Sequence, residues 1–191
     1  MSNLTDFFPS GGGGLTPKFE EFNASGTFTP SQALIDAGGY IEVFLVGGGG
    51  GPGNSTQRSA SGGEALIKKL YLTNTNNCTI TIGSGGGAAA TPGDGGDSTF
   101  DASSSGSVLV TALGGRSDGY NQFMISPSWG GTSQDVDRTS DAGEGVFGYG
   151  AGGKGYVSQS GGVNAAKANS GQGVPYYGTG GSGYCLIKWY E

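Results

Sequence analysis

"YIEVFLVGGGGGPG", Tyr40 to Gly53, runs an apolar stretch straight into five consecutive glycines, Gly47 to Gly51, and the reading of that junction decides the fold. Three readings compete. A flexible linker fits because glycine populates both signs of φ and loses the most backbone entropy on ordering. A phosphate-cradling loop fits because nucleotide sites begin with a strand followed by glycines. A packed structure fits if backbones approach so closely that the missing side chain is itself the requirement.

The phosphate loop fails on its own terms. No Lys-Ser or Lys-Thr follows the glycines, and no helix follows to offer its N-terminal dipole. Polar "NSTQRSAS", Asn54 to Ser61, comes next, and then another strand-like run. Packing or a projecting loop remains.

Composition separates the other two readings. The chain has 43 glycines in 191 residues but only 7 prolines, about three times the usual glycine content with no G-X-Y period, so collagen is excluded. Disorder is the usual consequence of such a composition, yet 9 Phe, 9 Tyr and 2 Trp are more aromatics than solvating sequences carry. There are hydrophobes to bury, in short bursts.

Those bursts read as strands. "KFEEF", "GTFTP", "YIEVFLV", "GEALIKKLYLT", "CTITIG", "SVLVTA" and "YCLIKWYE" are rich in β-branched or aromatic residues and bounded by Gly, Pro, Asn or Ser. In "CTITIG", Cys78, Ile80 and Ile82 share one face and Thr79 and Thr81 the other. In the last run Cys185, Ile187 and Trp189 lie opposite Tyr184, Leu186, Lys188 and Tyr190. One buried and one wet face predicts antiparallel sheets. Helix signals are confined to "PSQALIDAG", worth one or two turns, and a weaker "NAAKANSG". The expectation is an all-β chain with an antiparallel sandwich-like core.

Between Gly114 and Gly183 glycines recur every two or three residues around single aromatics, as in "AGEGVFGYGAGGKGY". Extended segments of three residues per turn, stacked side by side, accommodate that pattern. The expected organisation is an N-terminal peptide and tether over residues 1–17, then a glycine-rich β domain over 18–191 whose 114–183 part forms displayed loops.

"FNASGTFTPSQALIDAGGYIEVFLVGGGGGPG", "SGGEALIKKLYLT", "CTITIGSGG", "GGDSTF" and the closing "GGSGYCLIKWYE" together resemble the glycine-rich domain at the ends of bacteriophage tail fibres and related virion proteins. That resemblance implies a β-sandwich-like core from which glycine-rich segments emerge, and attachment to the bacterial surface. A more distant similarity, through Gly143 to Gly183, is to the glycine-rich adhesins of T-even-type phages, with their polyglycine helices.

Site candidates follow from what the chain has and lacks. It has no histidine, so Ser-His-Asp and Cys-His centres cannot be built. Carboxyl pairs exist at Asp94 and Asp97, at Asp135 and Asp137, and at Asp141 and Glu144, but in glycine-rich turns they read as turn formers rather than as a glycosidase pair. "PGDGGD" lacks the ligand spacing of a calcium loop. Cys78 and Cys185 read as small buried hydrophobes, with a disulfide between them as the alternative. Neither an enzyme nor a cofactor or metal is expected.

Exposed aromatics among polar residues suit recognition of a sugar face or a protein groove. Tyr120, Phe123 and Trp129, with Tyr176 and Tyr177, are the receptor-binding candidates, against the alternative that they pin loops. Leu4, Phe7 and Phe8 precede the Gly11 to Gly14 spacer and read as a virion-anchoring motif. A net charge of −6 with 9 Lys and Arg offers no basic stripe for nucleic acid. No apolar span or leader predicts membrane insertion or export, so the chain is expected to be made in the host cytoplasm and carried on the virion.

The expected function is a tail fibre or fibre-tip adhesin subunit. Its partners would be other virion proteins, a bacterial surface glycan or outer-membrane protein, and further copies of itself, a trimer before other homo-oligomers. The rival functions are a capsid decoration or collar fibre protein without receptor binding and, last, a polysaccharide depolymerase.

Overall fold

The computed structural model describes residues 14–51, 60–87, 93–117, 169–171, 173 and 179–191. Among the described residues eight strands form two four-stranded antiparallel sheets, facing each other across the main core. The strands are β1 (Pro17–Phe22), β2 (Gly26–Phe28), β3 (Tyr40–Val46), β4 (Ala65–Tyr71), β5 (Cys78–Thr81), β6 (Ser98–Asp101), β7 (Leu109–Ala112) and β8 (Tyr184–Tyr190). One sheet runs in the order β1-β8-β3-β4 and the other β2-β5-β6-β7. The all-β sandwich is as the sequence predicts. Only β6 lies outside the runs that read as strands, because its four residues are hidden among "GDGGD" and serines.

Alternation explains the core. Ile41, Val43 and Leu45 of β3 point inward beside Cys185 and Ile187 of β8, and meet Cys78, Ile80, Phe100 and Val110 from the second sheet, all buried. Phe28 lies edge-on to Trp189 with ring centroids 5.2 Å apart. Truncating a core ring such as Phe100 to Ala would cost about 3–5 kcal/mol. Both thiols are free and buried.

The predicted short helix is α1 (Gln32–Asp36). Its cap is Ser31, whose Oγ accepts the Leu34 N–H at 3.0 Å, and Leu34 is its one buried side chain. Among the described residues no helix is long and apolar enough to cross a membrane. Asn169 to Gly171 of the weaker helix signal form a turn; its earlier residues lie outside the described ones.

One pole of the sandwich is closed by polar turns. Thr73 donates its N–H to the Ser105 carbonyl at 2.9 Å, and the Asn76 side chain donates to Ser104 at 2.8 Å. The first described residues arrive at the same pole, where Thr16 and Glu191 exchange backbone hydrogen bonds of 2.6 and 3.0 Å. The opposite pole is where six strands become glycine-rich.

Candidate functional site

β3, β5 and β7 run out of the sandwich into residues 47–51, 82–87 and 113–117, while β4, β6 and β8 are fed by residues 60–64, 93–97 and 179–183. Sandwiched sheets normally stand about 10 Å apart because side chains fill the gap. With glycine in their place the backbones close up and bond to one another directly.

Gly47 to Gly51 is the centre of this bundle. Gly47 donates to the Glu64 carbonyl at 2.8 Å, Gly48 to Gly96 at 2.9 Å and Gly49 to Gly181 at 2.8 Å; Gly50 then returns to Ser61 and Gly51 to Gly93, both at 3.0 Å. The partner segment recurs every third residue, the period of an extended three-residue-per-turn helix. Central carbonyls accept in turn: Gly48 from Gly115 at 2.7 Å, Gly49 from Gly86 at 2.8 Å.

The surrounding segments bond to each other in a closed ring. Glu64 and Ser61 donate to Leu113 and Arg116, Gly95 donates to Gly115, and Gly96 to Ser84. Gly183 and Gly180 donate to Gly83 and Gly86, Gly171 to Ser182, and Gly63 to Gly171, all between 2.7 and 3.0 Å. Six segments thus encircle one, a polyglycine-like arrangement in cross-section. The linker reading of Gly47–Gly51 is set aside, since all five are buried and hydrogen-bonded. Sequence reasoning places stacked glycine segments after Gly114; four of the seven, beginning with Gly47 itself, precede it.

These positions need glycine for space. A Cβ on Gly47, Gly48, Gly51, Gly63, Gly95 or Gly180 would sit less than 3.0 Å from a carbonyl oxygen of a neighbouring segment. Conformation matters at Gly171, whose φ is +62° and which also lies against Val46.

Side chains finish the rim where the ring has no further chain to bond. Asp97 accepts the Gly114 N–H and Asp94 the Ser117 N–H, each at 2.8 Å, and Glu64 accepts that of Leu113 at 2.9 Å. The three-residue spacing of the two aspartates matches that of the two amides they serve. This is what the Asp94 and Asp97 carboxyl pair does here: it terminates a backbone lattice. Ser61, through its Oγ, takes the Arg116 N–H at 2.7 Å, and Ser98 takes that of Gly83 at 2.9 Å. Sequence reasoning did not single out Glu64, Ser61 or Ser98. Their signal was a polar residue flanking each glycine run.

Burial pushes the Cys185 thiol up to about 12, and raises that of Cys78 too, so both stay protonated at neutral pH. No group of three or more potential metal ligands occurs among the described residues.

The described chain stops at the bundle's far end after Gly51, Gly87, Ser117 and Gly173 and resumes there at Ala60, Gly93 and Thr179, whereas Asn169, where it resumes after Ser117, is bonded to Ser182 just ahead of β8. Tyr120, Phe123 and Trp129 belong to the stretch that leaves from Ser117, and Tyr176 and Tyr177 to the one between Gly173 and Thr179. All five lie outside the described residues, as do Leu4, Phe7 and Phe8 and the carboxyl pairs Asp135 with Asp137 and Asp141 with Glu144.

A family model for the glycine-rich domain matches residues 22–188. The chain belongs to that glycine-rich domain family. No curated protein matches it.

Proposed function

We propose that this glycine-rich domain is a bacteriophage virion component, a tail fibre or fibre-tip adhesin subunit that attaches the particle to the bacterial surface. One observation supports the reading above others: the described molecule has two structurally different poles. The described chain begins at the sandwich pole, where Thr16 pairs with Glu191, whereas it leaves the described bundle after Gly51, Gly87, Ser117 and Gly173 at the other end. A seven-residue strand continued by five residues of extended glycine chain separates the poles by roughly 40 Å. An anchor at one pole and a recognition surface at the other is the geometry a fibre tip needs.

The bundle suits such a surface. A ring of backbone hydrogen bonds holds the loop bases rigidly, and large contact side chains can vary without touching the core. The Tyr, Phe and Trp candidates then supply hot spots on loops with rigid bases.

Antibody labelling of particles by electron microscopy tests the assignment. Label at the distal end of the tail is the expected result. Label on the capsid or collar would transfer the chain to a decorating role. Release of reducing sugar from purified capsule would instead revive the depolymerase reading.

A further inference from the structure

Gly47 to Gly51 is enclosed by chain that arrives from elsewhere in the sequence. β3 leads into it, yet its amides reach residues ahead of β4, β6 and β8, and its carbonyls are met by Gly115 beyond β7 and Gly86 beyond β5. The bonds around it also tie one sheet to the other, as Glu64 to Leu113 and Gly183 to Gly83 do. All five central glycines are buried.

Glycine gives such a bundle no means of starting itself. A segment without side chains has little apolar surface to draw it together, and glycine loses more conformational freedom on ordering than any other residue. What brings the seven segments side by side is the sandwich, whose Ile41, Val43, Leu45, Ile80, Phe100 and Ile187 fix the directions in which the strands emerge. The bundle therefore follows the sandwich. Once closed it is hard to reopen, because freeing Gly49 alone breaks its bonds to Gly181 and Gly86, and six segments stand around the one that must leave.

We propose that the bundle is a kinetic lock: it closes after the rate-limiting step of folding and governs how slowly the domain comes apart. Contacts made after the transition state slow unfolding and leave the folding rate alone. Sheets paired from strands distant in the sequence fold slowly to begin with. Unfolding in water is expected at the slow end of the range for single domains, on the order of 10⁻⁵ s⁻¹ or below. Such a lock would serve a capsid protein as well as a fibre tip, so its test does not depend on the adhesin reading.

Unfolding and refolding of the full chain, followed in urea after rapid and manual mixing, give both rates. Ser61→Ala removes the buried Oγ that accepts the Arg116 N–H at 2.7 Å and leaves the backbone bonds of the ring in place. It is expected to speed unfolding about fivefold and to change refolding by less than about twofold. Should that variant fail to fold, Asp97→Ala at the exposed rim is the second probe, expected to act in the same direction with a smaller effect. At least one of Ile41→Val, Ile80→Val and Ile187→Val, all in the buried core, should slow refolding about twofold or more, because the sandwich is already forming in the transition state. Refolding slowed by the bundle variants as much as unfolding is speeded, core variants that leave refolding unchanged, or a parent chain that unfolds in water within minutes overturns the proposal.

Discussion

Gly48 donates its N–H to the carbonyl of Gly96 at 2.9 Å although the strands that lead to them, β3 and β6, belong to opposite sheets. The core between those sheets is filled by Val43, Leu45 and Phe100; one turn of chain further on, nothing separates the backbones. This is where a sandwich held by side chains becomes a bundle held by main-chain hydrogen bonds.

Gly48→Ala is therefore predicted to be severe. Its Cβ would collide with the Ser84 carbonyl, which cannot swing away as a side chain can. A cost of about 3 kcal/mol or more would lower the melting temperature by roughly 6–12 °C. Gly93→Ala is the internal control, since its nearest neighbour, the Gly87 nitrogen, would lie 3.5 Å away. Equal melting temperatures for the two variants would show that the bundle does not need glycine for space.

The carboxylates at the rim make a second comparison. Asp97→Ala leaves the solvent-exposed Gly114 N–H to water and should cost about 0.5–1.5 kcal/mol, whereas Asp97→Asn keeps an acceptor oxygen and should stay near the parent. Urea denaturation separates the two. An Asn variant as weak as the Ala variant would mean that charge, not the hydrogen bond, is what matters there.

How much of this was legible beforehand depended on which interaction leaves a pattern. Alternation in "CTITIG" and "YCLIKWYE" placed Cys78, Ile80, Cys185 and Ile187 in the core because side-chain burial imposes a period of two. The bundle imposes no such signal: each glycine looks alike, and its partner is chosen by where a distant strand emerges. Only the flanks betray it, in the paired spacing of Asp94 with Asp97. Strand β6 was missed for the related reason that four residues between glycines give the alternation too little length.

Acid sensitivity should come from the sandwich pole. Hydrogen bonds from the Ser103 side chain and backbone hold Asp101 below its ordinary value of 3.8, and Glu191 is held below 4.5 chiefly by Ser31, then by Trp189. Carboxylates depressed on folding contribute stability that is complete above their unfolded values and is lost as pH falls through the folded ones. Stability should thus decline below about pH 4, and less steeply in an Asp101→Asn, Glu191→Gln double variant. Identical pH profiles for parent and double variant would exclude this origin.

Removal of residues 1–13 is predicted to leave a folded domain that no longer enters virions. Gly14 is exposed, with open space around it, at the pole where Thr16 pairs with Glu191. The deletion therefore removes no described residue. Circular dichroism and melting should match the parent, while particles assembled with the truncated chain should lack it. Normal incorporation would remove the anchoring role from Leu4, Phe7 and Phe8.

The aromatic candidates are tested by setting binding against melting. A glycine scaffold displays few large side chains, so specificity falls on those it does carry, and hot spots favour Trp, Tyr and Arg. Tyr120→Ala with Trp129→Ala is expected to weaken attachment to host cells while leaving the melting temperature within a few degrees. A loss of about 2 kcal/mol at one such residue lowers single-site affinity roughly thirtyfold. Several copies on a fibre would mask part of that through avidity, so the isolated chain and the whole particle must be measured together. A large fall in melting temperature would make these residues core anchors of the loops. Normal melting with normal binding would move the surface to Tyr176 and Tyr177, and if their replacement were also silent, the adhesin reading would give way to a structural role on the virion.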